Sequence, residues 1–308
     1  MCDSVHPHQH GHAHGHGHVQ AHAHSHSHSH DGGGGFRVVV AGKGGVGKTS
    51  LTALIARLLS RRGHRVLALD ADPQMNLPYA LGLPDTQARA LLPLSRNQDY
   101  VEEKTGASSK SGWGLFFRMN PDAHDAVERF GVAGPDGVRL MVMGTVVQPA
   151  AGCLCPENTL LAGVVEAVCL REGEAILMDT QAGVEHFGRA LAKGFHHALV
   201  VTDPTFNGIQ VAVHAAHLAG QMGIPAVHLV VNRVRDATEL TRSRARLEAE
   251  GGFAFASTHF LPYDEALLAA EPGVDPLLWQ PQSAFMRAVD GVIGALLASE
   301  EALSRCAS

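Results

Sequence analysis

The sequence predicts an α/β protein: a doubly wound, mostly parallel sheet with helices on both faces, preceded by a disordered histidine-rich tail. Three observations carry that prediction. Short apolar runs such as FRVVVAG (36–42) and RVLALD (65–70) are apolar almost throughout, as strands are when both faces of their sheet are covered. Amphipathic stretches at helical period lie between several of these runs, the spacing that joins parallel neighbours. The chain also changes character at Phe36, from a polar, low-complexity segment to an ordinary globular composition.

In chain order, residues 1–35 form the tail and its joint. HPHQHGHAHGHGHVQAHAHSHSHSHDGGGG alternates histidine with Gly, Ala, Ser, Pro and Gln. With so little apolar surface to bury it is expected to be disordered without a ligand, and Gly32–Gly35 make a flexible joint. Residues 36–308 then form the folded domain. After the first strand, KTSLTALIARLLSRRG reads as a helix, with Leu51, Leu54, Ile55, Leu58 and Leu59 at helical spacing and Gly63 as its stop. RVLALD is the second strand. RLMVMG (139–144), AILMDT (175–180), HALVVTD (197–203) and AVHLVVN (226–232) are further strands. Residues 84–135 carry several Gly and Pro and few clean periods, so an irregular insertion with short helices is expected there. The last stretch, FMRAVDGVIGALLASEEALSRCAS, is a helix whose apolar stripe packs on the sheet.

Composition narrows the function. The 308 residues are enough for a full core. A formal net charge of −6 argues against nucleic acid as a partner, because phosphate backbones need a basic surface. No apolar run approaches the roughly 20 residues that span a bilayer, and the N-terminus lacks the basic-then-apolar pattern of a secretory signal. Five cysteines, Cys2 and Cys306 among them near the termini, form no disulfide framework. A cytoplasmic protein with no membrane and no nucleic-acid partner is expected.

AGKGGVGKTS (41–50) follows the first strand and opens the first helix. Gly42, Gly44, Gly45 and Gly47 let the backbone turn tightly, so that its N–H groups, Val46 and Ser50 included, can face phosphate oxygens. The helix N-terminus adds partial positive charge at the same place. Lys48 would reach the β- and γ-phosphates, and the Thr49 hydroxyl would bind Mg²⁺. This is a P-loop. LDADPQ (69–74) closes the second strand and turns the Asp70 and Asp72 carboxylates to the phosphate side. ILMDTQAG (176–183) ends an apolar strand in Asp179, where a P-loop protein keeps the carboxylate that holds Mg²⁺, usually through water.

The second lysine of KGGVGKT, Lys43, resembles the deviant Walker A motif of the MinD/ParA/nitrogenase-iron-protein/ArsA class of P-loop ATPases. The resemblance implies that Lys43 reaches across a dimer interface to the partner's ATP and that ATP promotes a homodimer. There it would act as an arginine finger does, on charge developing at the transferred phosphoryl group. It also implies that Asp72 positions the attacking water, so that Lys43, Lys48, Asp72 and Asp179 form the catalytic set. Gly183 matches the class's switch glycine. Asn232 and Arg233, in VVNRV, match its base-recognition strand end, and Pro262, in LPYDEA, its loop over the purine.

AAGCLCPENTL (150–160) places Cys153 and Cys155 one residue apart before a helix that Pro156 would start. A thiolate at a helix N-terminus is stabilised, and a disulfide across one residue would be strained. Two thiolates are half of a four-ligand Zn²⁺ or Ni²⁺ site. A two-fold axis would supply the other half, making an intersubunit Cys-x-Cys site for Ni²⁺ or Zn²⁺. Imidazoles bind the same metals. Twelve of the 21 histidines lie in the tail: His6, His8, His10, His12, His14, His16, His18, His22, His24, His26, His28 and His30. Metal binding is their expected role, with no metal selected by the tail itself. His196 and His197, before a strand, are not counted as ligands.

GCLCPENTLLAGVV, MDTQAGVEHFGR and VMGTVVQPAAG together resemble the CooC family of nickel-handling ATPases, which assist maturation of carbon monoxide dehydrogenase. The resemblance implies an ATP-dependent nickel chaperone with the apo-enzyme as client, in which hydrolysis resets the shared metal site. A nickel store in which the P-loop only gates assembly is one rival reading, and two others make demands on the sequence. A GTPase-type nickel chaperone for another nickel enzyme needs an Asn-Lys-x-Asp motif, and VNRVRD has no Asp at that place. A MinD/ParA-like positioning ATPase needs a basic DNA-binding face or a basic amphipathic membrane helix, and the last helix is not basic.

Overall fold

A computed structural model describes residues 35–106, 118, 121–144, 156–168, 173–182, 194–250 and 253–307. The elements below lie in the compact unit Gly32–Ser308. The strands are β1 (Phe36–Gly42), β2 (Arg65–Ala71), β3 (Val132–Ala133), β4 (Arg139–Val142), β5 (Glu174–Thr180), β6 (His197–Thr202), β7 (Ala226–Val234) and β8 (Ser257–Pro262). They form one sheet in the order β3-β4-β2-β5-β1-β6-β7-β8. All pairings are parallel except that of β3 with β4 at one edge. The helices are α1 (Lys48–Arg61), α2 (Leu77–Leu81), α3 (Asp85–Ala90), α4 (Gln98–Thr105), α5 (Ala126–Phe130), α6 (Pro156–Ala167), α7 (Phe206–Gln221), α8 (Ala237–Ala249), α9 (Glu265–Ala269), α10 (Asp275–Leu278) and α11 (Ala284–Ala307).

The apolar runs are strands because alternate residues feed two cores. Val38 and Val40 of β1 join one buried cluster with Leu51, Leu54, Ile55 and Leu59 of α1 and Val289, Val292, Ile293 and Leu296 of α11. Val39 and Ala41 join another with Leu160, Leu161, Val164 and Val165 of α6 and Ala212, Ala215, Ala216 and Ala219 of α7. Each fully buried Leu, Ile or Val contributes about 1.5–3 kcal/mol relative to exposure. The last helix therefore packs on the sheet. Among the described residues no helix is long and apolar enough to cross a membrane.

The expected strands and the first helix appear within a few residues of their sequence bounds, and α6 starts at Pro156. The described part of 84–135 carries α3, α4 and α5, with 3₁₀ turns at Leu94–Arg96 and Pro135–Gly137. Two strands were not expected. β3 has two residues, and β8 pairs with β7 alone and is mostly half-buried, so neither presents a continuous apolar run.

Two polar networks fix the layers. Arg57 of α1 is buried and donates from Nε to Asp136 Oδ2 at 2.6 Å, and from one terminal nitrogen to Asp275 Oδ1 at 2.6 Å and the Leu81 carbonyl at 3.1 Å. A buried guanidinium is tolerated because its charge is paired with two carboxylates. The second network crosses β8, β7, β6 and α11. Glu300 accepts from both His197 Nε2 (2.9 Å) and His196 Nδ1 (3.2 Å). Burial alone would raise its pKa, but the bonds from the two histidines outweigh that and hold it at about 2. With Glu300 ionised and the imidazoles neutral, each remaining proton has one place. His228 Nε2 donates to His197 Nδ1 (3.1 Å), Ser257 Oγ donates to His228 Nδ1 (2.7 Å), and His259 Nε2 donates to Ser257 Oγ (2.9 Å).

Burial, with repulsion from His197 and His259, pushes His228 from its ordinary 6.5 down to about 4. The unfolded chain takes up a proton there below about pH 6.5 while the folded chain refuses it until about pH 4. The stability contributed by neutral His228 is thus present above pH 6.5 and is lost as pH falls, by on the order of 3 kcal/mol in all. Urea unfolding between pH 4 and 7 should show a steeper acid loss for the natural chain than for His228→Gln. A difference between the two chains that is constant over that range would refute this account.

Candidate nucleotide site

The C-terminal ends of β2, β5, β1 and β6 meet at one edge of the sheet, the position where open α/β sheets bind ligands. Residues 43–47 loop over that edge between β1 and α1. Gly42, Gly45 and Gly47 have φ of +136°, +74° and +95°, a region that side-chain-bearing residues avoid. A Cβ at Gly42 would lie 2.0 Å from the Val201 carbonyl oxygen of β6, and one at Gly47 would lie 2.8 Å from Asn232 Nδ2. Gly47 caps α1 without a side-chain hydrogen bond, so the cap residue leaves the first-turn amides able to face an anion. Val46 is buried, Thr49 and Ser50 are half-buried, and Gly44 is exposed.

Lys48 is buried, and its Nζ donates to the Lys43 carbonyl at 3.1 Å. Burial lowers its pKa, while Asp179 and Asp72 act in the opposite sense. Asp179, at the end of β5, has no solvent exposure. It accepts from the Thr49 hydroxyl on Oδ2 (2.6 Å) and from Thr52 on Oδ1 (3.3 Å). Burial raises Asp179 to about 6, against the Thr49 bond and the Lys48 charge. A hydroxyl and a buried carboxylate in contact are two hard oxygen donors with net negative charge, a set that fits Mg²⁺. Thr49, and Asp179 through water, would hold the ion, which when bound neutralises phosphate charge.

Asp70 lies beside Asp179 in the sheet register. Burial, then the charge of Asp179, pushes it up to about 8. Its oxygens accept from the backbone N–H of Asp72 (3.0 Å) and Leu77 (3.1 Å), so it pins the turn that carries Asp72. Its carbonyl accepts from Met143 N–H at 2.8 Å, at the head of the segment leading to the cysteine pair. Asp72 is half-buried and accepts from Gln74 N–H at 2.8 Å. Lys43, the early lysine, forms an ion pair with Asp203 at 3.4 Å.

Asn232 is buried, and both ends of its side chain are used within the chain. Nδ2 donates to the Val46 carbonyl (2.8 Å) and Oδ1 accepts from Arg233 N–H (2.9 Å). Asn232 thus braces the phosphate loop. Arg233 has φ +64°, and Pro262 ends β8 with Tyr263 N–H bonded to the Val234 carbonyl at 2.8 Å. Sequence reasoning missed Asp203, the bracing by Asn232 and the pinning by Asp70. Only Asp70 left a signal, as the first carboxylate of the LDADPQ pair. Gly183, Cys153, Cys155 and the twelve tail histidines lie outside the described residues. Among the described residues no group of three or more His, Cys, Asp or Glu is arranged to hold a metal ion, and Cys306 is an exposed free thiol.

A parallel sheet carrying a glycine loop, a buried lysine and a Thr49–Asp179 pair at its phosphate edge defines a P-loop nucleotide-binding protein. The chain belongs to the CobQ/CobB/MinD/ParA nucleotide-binding family, whose model (CbiA) matches residues 37–276. It is 34% identical over 235 residues to the carbon monoxide dehydrogenase accessory protein CooC of Rhodospirillum rubrum, covering 76% of this chain and 86% of that one. It is 32% identical over 240 residues to an uncharacterized ATP-binding protein of Methanocaldococcus jannaschii, covering 76% and 88%. Its fold superposes on a chain of the MinC:MinD cell division protein complex of Aquifex aeolicus with a TM-score of 0.58 at 20% identity, covering 87% and 95%. As a member of this family the chain is an ATPase that takes ATP and Mg²⁺.

Proposed function

We propose that the chain is an ATP-dependent nickel chaperone that assists nickel insertion into the active-site cluster of carbon monoxide dehydrogenase. The observation that carries this reading is its likeness to CooC over three-quarters of its length. In the reading, two chains associate around ATP as a homodimer. The loop amides and Lys48 hold the phosphates, Asp72 orients the attacking water, and Lys43 reaches the partner's nucleotide. Gly183 senses the γ-phosphate, while Asn232, Arg233 and Pro262 border the purine. Cys153 and Cys155 of both chains hold one nickel ion, which zinc could replace, and the tail histidines load it.

Two features favour the cysteine assignment. The Asp70 carbonyl anchors Met143, so the segment that leads to the pair starts from the residue pinning the Asp72 turn. Glu157, two residues beyond Cys155 on α6, keeps a buried carboxylate oxygen with no hydrogen-bond partner among the described residues. That is an acceptor in need of a cation or proton donor.

The test is nickel stoichiometry in a full chain whose tail histidines are replaced by Gln. About one nickel per two chains is expected with ATP. It should be lost in Cys153→Ser/Cys155→Ser. Unchanged stoichiometry in that variant overturns the shared thiolate site.

A further inference from the structure

Lys43 and Asp203 are launched from the ends of neighbouring strands, because β1 pairs with β6 in a register that sets Gly42 opposite Val201. The pair, Nζ to Oδ2, is partly exposed, with side chains 40% and 22% accessible. The carboxylate is built to face that way. Its other oxygen, Oδ1, accepts from both the hydroxyl and the N–H of Thr205. Thr205 is itself the N-cap of α7, accepting from Gly208 N–H at 3.0 Å. A Cβ at Gly208 would lie 2.0 Å from Asp203 Oδ1 and 2.8 Å from its carbonyl oxygen, so glycine there makes room for the turn. One oxygen is clamped and the other is left for the lysine. The clamp and the Lys43 charge together hold the Asp203 carboxyl below the usual carboxylate range, against the effect of burial.

We infer that Asp203 is a positioning residue that rests Lys43 against its own chain, so that the lysine reaches a second copy only when this ion pair opens. The inference rests on the proposed role of Lys43 across the dimer. Asp203 then sets a threshold for association: each chain must release one ion pair before the dimer closes. A partly exposed pair of this kind shifts an equilibrium by about 1.5- to 5-fold. Two are opened per dimer, so removing the charge should raise the ATP-driven dimerisation constant by about 2- to 25-fold.

The experiment measures that constant by sedimentation with ATP and Mg²⁺ for the natural chain, Asp203→Asn, Lys43→Ala and the double variant. Asp203→Asn should tighten the dimer, Asp203→Glu should stay within about twofold of the natural chain, and Asp203→Asn should add nothing in the Lys43→Ala background. If Asp203→Asn does not fold, Asp203→Ser carries the same expectation. An unchanged or weaker dimer in Asp203→Asn, with ATP-driven association still lost in Lys43→Ala, overturns the resting contact and leaves the proposed function standing. A shift that persists without Lys43 marks a structural role and also overturns it. An ATP-driven dimer untouched by Lys43→Ala overturns the role of the lysine in trans, and the resting contact with it.

Discussion

Lys48→Ala should lower ATP turnover by about 10³-fold, with little change in thermal stability. The Lys48 ammonium is buried at the foot of the loop, on the Lys43 carbonyl, and burial already disfavours its charge. Burial makes a cation there costly by itself, and phosphate oxygens beside it make it favourable. The expected loss therefore falls on both nucleotide affinity and kcat, and single-turnover kinetics beside an equilibrium binding assay separate the two. Turnover within tenfold of the natural chain would mean that the phosphates lie elsewhere, and the site described above would be wrong.

Gly42→Ala should cost more than about 3 kcal/mol and in practice yield little folded protein. The added Cβ would stand 2.0 Å from the Val201 oxygen and 3.0 Å from its carbonyl carbon, both backbone atoms of a central strand, at a φ of +136°. Nothing there is a flexible side-chain end that could move aside. Gly44→Ala is the matched control: its nearest new neighbour is the Ala182 Cβ at 3.4 Å, an ordinary contact. Urea unfolding of the two variants should place Gly44→Ala within about 1 kcal/mol of the natural chain. Similar losses in both would show that glycine at 42 is not needed for the approach of β1 to β6.

Most of the fold was legible because the central strands are apolar on both faces, a local pattern. β8 was not, since a half-buried edge strand such as STHFLP shares its composition with a loop. The phosphate loop was legible down to single glycines, because its turn must follow a strand and open a helix at fixed spacing. The contacts that tune it were not. Lys43 and Asp203 are 160 residues apart in the chain, and Asn232 and Val46 are 186 apart. Only tertiary structure brings such pairs together. Asn232 is the clearest case, because an Asn at a strand end is compatible both with base recognition and with bracing a loop.

The strand order bears on how the chain is made. β1 carries the phosphate loop, yet its two neighbours are β5 and β6, with Phe36 opposite Ala175 and Val38 opposite His197. On a ribosome adding about 5–20 residues per second, some 140 residues separate the first strand from its earlier neighbour, a delay of about 7–28 s. Through that interval β1 has neither edge partner. The elements made in that interval, β2, β4 and α6 among them, include no strand that pairs with β1, and the Arg57 clasp stays open until Asp136 and then Asp275 emerge. The nucleotide pocket is consequently a late product of synthesis, although its sequence is translated early.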